Sequence, residues 1–219
     1  MIIIMDIEIS EKDMDIIEKL ETGDILLFNS SDHWYDWVVK KCTSSNYSHT
    51  AMIVKDPEYT KTPLKGIFLI QSDSSIQNDV EDNKHKFGVQ IVPINDIFKS
   101  GYDQVYLRKL YTIRDDEFKQ KMSEVHNKVY NIPYDLNLDN WLISGFYHLG
   151  ISTDMVKRHT DNFWCSALVT YLYVQLGLIS GEKWDWSNMA PSDLADKKFN
   201  VIESSKLEDV KLIFDFTKY

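Results

Sequence analysis

The 219-residue chain predicts an α+β domain on three observations. Short apolar runs bounded by turn residues recur at 25–28, 49–54, 66–71, 87–92 and 104–110, the signature of buried strands. Helical patterns sit toward the ends of this strand block. Regular alternation of strand and helix, which would imply a parallel sheet, is missing.

Taken in order, Ser10 followed by Asp13 predicts a capped helix ending near Leu20, and Thr22-Gly23-Asp24 is a turn that launches the first strand. The spacing of Trp34, Trp37, Val38 and Lys41 predicts an amphipathic helix over 32–42. Asp115, Asp116 and Glu117 place negative charge where a helix N-terminus favours it, and Phe118, Met122, Val125 and Val129 form one apolar stripe running to Asn131. A helix over 163–176 is capped by Asp161 or Asn162 and stopped by Gly177. The tail at 212–216 is a candidate returning strand. No repeat or long flexible linker divides the chain, which is read as one domain over 1–219 with an apolar insertion at 136–160.

Composition narrows the function. With 43% apolar, 13% aromatic and 26% charged residues, the chain should fold around a core. A net charge of −10 repels phosphate backbones, and arginine occurs only at 108, 114 and 158, so nucleic acid is not an expected partner. Two cysteines do not make a disulfide scaffold. The start lacks a signal-peptide pattern and no apolar run reaches the roughly 20 residues of a membrane span, so a cytoplasmic protein without a transmembrane segment is expected. The glycosylation patterns at Asn29 and Asn46 are then chance matches. Lysine in place of arginine, with abundant Ile, Asn and Asp, suggests an AT-rich genome.

Cys165 is the candidate nucleophile, because the opening turn of a helix offers unpaired amides and a dipole that favour a thiolate. Cys42, beside lysines on an amphipathic pattern, is read as structural. His49 opens a strand, where its imidazole can stand at a sheet end and exchange a proton with a thiol. Gln71 and Asp73 close the next strand; if that strand pairs antiparallel beside His49, a side-chain oxygen from either orients the ring. The histidines at 33, 85, 126, 148 and 159 show no metal-ligand spacing, so no metal is expected. Nucleotide-binding glycine loops are missing, and no cofactor is expected. Asp135 and Asp139 are explained by a turn after Pro133. The stretch 141–149, with Trp141, Leu142, Ile143, Phe146, Tyr147 and Leu149, reads either as a core-packing helix or as an apolar lid.

The ordered set Gly23-Asp24-Ile25-Leu26-Leu27-Phe28, then Tyr47-Ser48-His49-Thr50-Ala51-Met52-Ile53-Val54, then Phe163-Trp164-Cys165-Ser166-Ala167-Leu168-Val169 resembles the YiiX/YebB-like cysteine hydrolases. These are circularly permuted members of the NlpC-type, papain-like superfamily, with viral as well as bacterial relatives. The histidine strand precedes the cysteine helix, opposite to papain. Val105-Tyr106-Leu107-Arg108, Ile132-Pro133-Tyr134-Asp135 and Ala190-Pro191-Ser192-Asp193-Leu194 fall in the same family order, so the similarity spans about residues 22–196.

The resemblance implies a permuted papain-like α+β fold, an antiparallel sheet or partial barrel packed against helices. It also implies Cys165 as nucleophile, His49 as general base and Gln71 as the third polar residue. Relatives commonly carry Glu at that third position and two residues after the cysteine; here the residues are Gln71 and Ala167. Tyr134 is a candidate substrate-binding hydroxyl beside the oxyanion. The expected activity is cofactor-free cleavage of an amide or ester carbonyl in a peptide, amide or acyl-lipid substrate. The peptidase or amidase side is preferred because the Asn-Cys-Glu-His pattern of the lecithin:retinol acyltransferase-like branch is missing. A lipid acyl hydrolase or acyltransferase, and a silent peptide- or lipid-binding module, are the rivals.

Overall fold

The computed structural model describes residues 9–30, 46–73, 78–133 and 164–218. Its centre is a six-stranded antiparallel sheet in the order β4-β3-β2-β1-β5-β8. The strands are β1 (Ile25–Asn29), β2 (His49–Lys55), β3 (Ile67–Asp73), β4 (Gly88–Pro93), β5 (Gln104–Arg108) and β8 (Lys211–Asp215). A second, two-stranded sheet pairs β6 (Leu110–Tyr111) with β7 (Lys206–Leu207). The α+β architecture thus matches expectation, and the tail returns as edge strand β8.

Both faces of the sheet are covered, which is why its inner strands read as unbroken apolar runs rather than alternating ones. Ile25, Leu27, Met52, Val54, Phe68, Ile70, Val89 and Ile91 share a core with helices α2 (Asp116–Val129) and α3 (Cys165–Gln175). Leu26, Phe28, Ala51, Ile53, Leu69 and Val92 share the other with Ile17 of α1 (Glu11–Glu18) and with Ile94 and Ile97 of a 3₁₀ turn. Ser10 caps α1 by accepting from the Asp13 amide at 3.2 Å, and Asp115 caps α2 by accepting from Phe118 at 3.0 Å. The stripe Phe118, Met122, Val125 and Val129 is buried as its spacing requires.

The expected strand at 104–110 is broken at Lys109. Asp24, wholly buried, accepts from the Leu110 amide at 2.8 Å and from Lys109 Nζ at 2.8 Å. This local pairing takes Leu110 out of the main sheet and into β6. Strand β4 starts one residue later than expected, at Gly88, and Phe87 is exposed.

Gly88 has φ +148°, and a Cβ there would lie 2.3 Å from the Ile132 carbonyl oxygen. The chain leaving α2 is held against β4 at this point, with the Val89 amide donating to Ile132 O at 2.8 Å. Gly88→Ala is expected to cost about 2–4 kcal/mol, combining backbone strain with overlap; the urea midpoint measures it, and an unchanged midpoint would contradict the close approach. Among the described residues no helix is long and apolar enough to cross a membrane. The expected helix at 32–42, Cys42, Asp135, Asp139 and the insertion at 136–160 lie outside the described residues.

Candidate active site

Helix α3 brings the cysteine. Its residues from Cys165 to Tyr173 are all buried, as suits a helix that is apolar on most sides. It starts two residues later than expected, and the N-cap is Trp164, with no side-chain cap, in place of Asp161 or Asn162. Anchoring comes instead from the Met189 carbonyl, which accepts from Trp164 Nε1 at 3.0 Å and from Ser166 Oγ at 2.5 Å. These two bonds flank Cys165 and fix the direction of its side chain. No sequence pattern pointed to Met189, because a backbone acceptor leaves no trace in residue identity.

The far end of α3 is equally determined. Gly177 at φ +73° lets the Leu178 amide return to the Tyr173 carbonyl at 2.9 Å and the Gly177 amide to Val174 at 3.0 Å, a Schellman closure. Tyr173 Oη donates to the Gly23 carbonyl, tying the helix to the turn before β1. The first intrahelical bond runs from the Leu168 amide to Trp164 O at 3.0 Å. The amides of Cys165, Ser166 and Ala167 therefore have no acceptor within the helix.

His49 is the first residue of β2, opposite Phe28 of β1. Its neighbours are pinned: the Ser48 amide donates to Phe28 O at 2.8 Å, and Thr50 Oγ1 donates to Leu26 O at 2.9 Å. Its ring lies 5.3 Å from that of Phe28 and stacks parallel to that of Tyr102 at 6.3 Å.

Between β2 and β3 the ladder stops at Met52–Ile70. Both strands continue against their outer neighbours, β2 with β1 as far as His49 and β3 with β4 as far as Asp73. The sheet therefore parts between them at this end. His49 Nε2 bonds Gln71 Oε1 at 3.0 Å, and the Cys165 sulfur lies near enough to the imidazole to raise its proton affinity. With Nε2 committed to Gln71, Nδ1 is the ring nitrogen left for the sulfur.

The meeting point is desolvated: Cys165 is 5% exposed, His49 7% and Gln71 3%. Burial alone would depress the imidazole, but the Asp73 carboxylate, the Cys165 thiol and the Gln71 side chain outweigh it and raise His49 from 6.5 to about 9. The ring is then a cation at neutral pH, donating from both nitrogens. Such an arrangement can pass a proton between sulfur and a reacting group while the ring is held in one orientation.

Cys165, His49 and Gln71 are thus brought together, whereas Tyr134 lies outside the described residues. Ala167, 2% exposed, packs in the core. His126 is engaged elsewhere: it is buried beside Glu81, Nε2 to Oε2 3.0 Å, and burial lowers its basicity. Among the described residues no group of three or more His, Cys, Asp or Glu is placed to hold a metal ion.

No protein-family model matches the chain, and no curated protein matches it. Among solved structures the chain is similar to YiiX from Escherichia coli O157:H7, described as a metalloprotein of DUF1105, with a TM-score of 0.48 and 16% identity over 89% of this chain and 97% of that one.

Proposed function

We propose that the chain is a thiol hydrolase that cleaves an amide or ester carbonyl through Cys165 and His49, on a permuted NlpC-type papain-like fold. The observation that carries this reading is the meeting of a helix-initiating cysteine with a buried imidazole whose other nitrogen is held by Gln71 at 3.0 Å. The two side chains come from opposite halves of the sequence. The order of histidine strand before cysteine helix supports the permuted arrangement.

In this reaction Cys165, as thiolate paired with protonated His49, attacks the carbonyl carbon, and the tetrahedral oxyanion is held by the α3 backbone amides that lack an intrahelical acceptor. His49 gives its proton to the departing amine or alcohol as the carbon–leaving group bond breaks, leaving a thioester on Cys165. Neutral His49 then takes a proton from water, whose hydroxide displaces the thiolate, returning the acid product and the starting ion pair. Gln71 fixes the ring, as a neutral amide can, without adding charge.

Because the acid form of His49 is the one that protonates the leaving group, hydrolysis should persist to about pH 9 and fall above it. A pH–rate profile measures this, and loss of activity near pH 6.5 instead would contradict the charged ring. The reading itself is tested by mass spectrometry after exposure to a panel of peptidyl and acyl electrophiles. A covalent adduct on Cys165 that vanishes in Cys165→Ala supports it, and the preference between panels separates a peptidase or amidase from a lipid acyl hydrolase or acyltransferase. The low exposure of the sulfur, together with Gln71 and Ala167, favours one second reading, a silent module that binds a peptide or lipid; no adduct from any electrophile would select it.

A further inference from the structure

The weak point of the Cys165 and His49 pair is its third member, since the Gln71 amide supplies orientation but no charge to stabilise an imidazolium. Asp73 lies two residues further along β3 and so shares the strand face of Gln71. If the β2–β3 register, interrupted after Met52–Ile70, were continued, it would set Asp73 directly opposite His49. The parting of the two strands separates their backbones here. On the other side of Asp73 the paired residue is Gly88, which has no side chain to intervene.

We propose that Asp73 is a positioning residue of the pair: its carboxylate, facing His49 across the parting of β2 and β3, supplies the negative charge that Gln71 lacks. This inference rests on the hydrolase reading for its purpose but not for its test.

Among the described residues, the groups around the ring come from four segments of the chain. Cys165 approaches from α3, Gln71 and Asp73 from β3, Phe28 from β1, and Tyr102 stacks from the segment before β5. Asp73 is the carboxylate of this set, and its charge is the largest influence favouring the protonated ring. Phe28 and Tyr102, their ring centroids 4.4 Å apart, pack together on one side of His49 and keep water from that side, which lengthens the reach of a nearby charge. Asp73 itself is only half-buried, at the strand end beside its buried partner. The division of labour is then clear: position 71 sets the ring's orientation, and position 73 sets its charge.

The test is the proton titration of His49 followed by NMR in the full-length chain carrying Cys165→Ser, the resonance being assigned by its loss in His49→Gln. Removing the thiol makes the readout independent of catalysis. Asp73→Asn should weaken proton binding at His49 by about tenfold or more. Asp73→Glu should retain most of it, and Gln71→Glu added to Asp73→Asn should restore it. Identical titrations in Asp73→Asn and its parent would overturn the inference. Should Asp73→Asn fail to fold, salt gives a second measurement: screening of a half-exposed carboxylate should lower the His49 titration point of the parent as ionic strength rises, and a salt-invariant titration would overturn the proposal. An Asp73-dependent titration with no Cys165 adduct would sink the hydrolase reading while leaving this one standing.

Discussion

Replacing His49 by alanine should slow acylation of Cys165 by about 10²–10⁴-fold, the usual contribution of a positioned acid–base group. In the proposed reaction the ring has two tasks, as a charge partner for the sulfur and as the proton donor to the leaving group, and alanine removes both. The helix amides proposed to receive the oxyanion are untouched, so a residual rate should remain. His49→Gln gives a companion variant nearer in volume, guarding against collapse of the Phe28–His49–Tyr102 stack. Single-turnover acylation by an activated ester measures the effect. Rates within a few-fold of the parent would remove His49 from the chemistry.

The second large effect concerns stability. Arg108 of β5 is 1% exposed, and its guanidinium is enclosed by backbone carbonyls: Nε donates to Glu208 O at 2.8 Å, and one terminal nitrogen donates to Leu194 O at 2.7 Å, Asp196 O at 3.2 Å and Phe199 O at 3.3 Å. Burial lowers its basicity, yet an arginine remains charged under ordinary conditions. This one side chain ties β5 to the end of α4 (Pro191–Ala195), to Phe199 and to the segment between β7 and β8. Arg108→Met fills much of the space but leaves several carbonyls without donors, at about 1–3 kcal/mol each. A total loss of about 3–5 kcal/mol is expected, read from chemical denaturation. Arg108→Lys should recover little, since an ammonium cannot serve the same spread of acceptors. A loss below about 1 kcal/mol would mean that the carbonyl cage is not a support of the fold.

Arg108 also shows what residue patterns convey. As a sequence feature it was one of three scarce arginines and the last residue of a short family-order motif, with nothing to reveal its structural task, because its acceptors are backbone atoms far along the chain. The apolar runs of β1 to β4, the α2 stripe, the acidic start of α2 and the cap at Ser10 were legible because their causes are local: burial on both sheet faces, helical spacing, and negative groups or side-chain oxygens near free amides. Lys109 misled, since the break there depends on Asp24, a distant partner. The α3 cap misled too, because Asp161 and Asn162 had the right chemistry while Trp164 is held by a carbonyl supplied from Met189.

In the candidate site, Gln71 beside His49 followed from one conditional step, the antiparallel pairing of β2 with β3. The approach of Cys165 did not follow from spacing at all and came from the order of motifs. The parting of β2 from β3 beyond Met52–Ile70 was illegible, since strands that separate and strands that stay paired carry the same apolar pattern.

The central claim is that Cys165 and His49 act as a pair. Its most direct measurement is the alkylation rate of Cys165 against pH in the intact chain and in His49→Ala. The pairing predicts two different profiles, with the intact chain reacting faster at neutral and mildly acidic pH. Superposable profiles, both rising only near the free-thiol value of about 8.5, would contradict it.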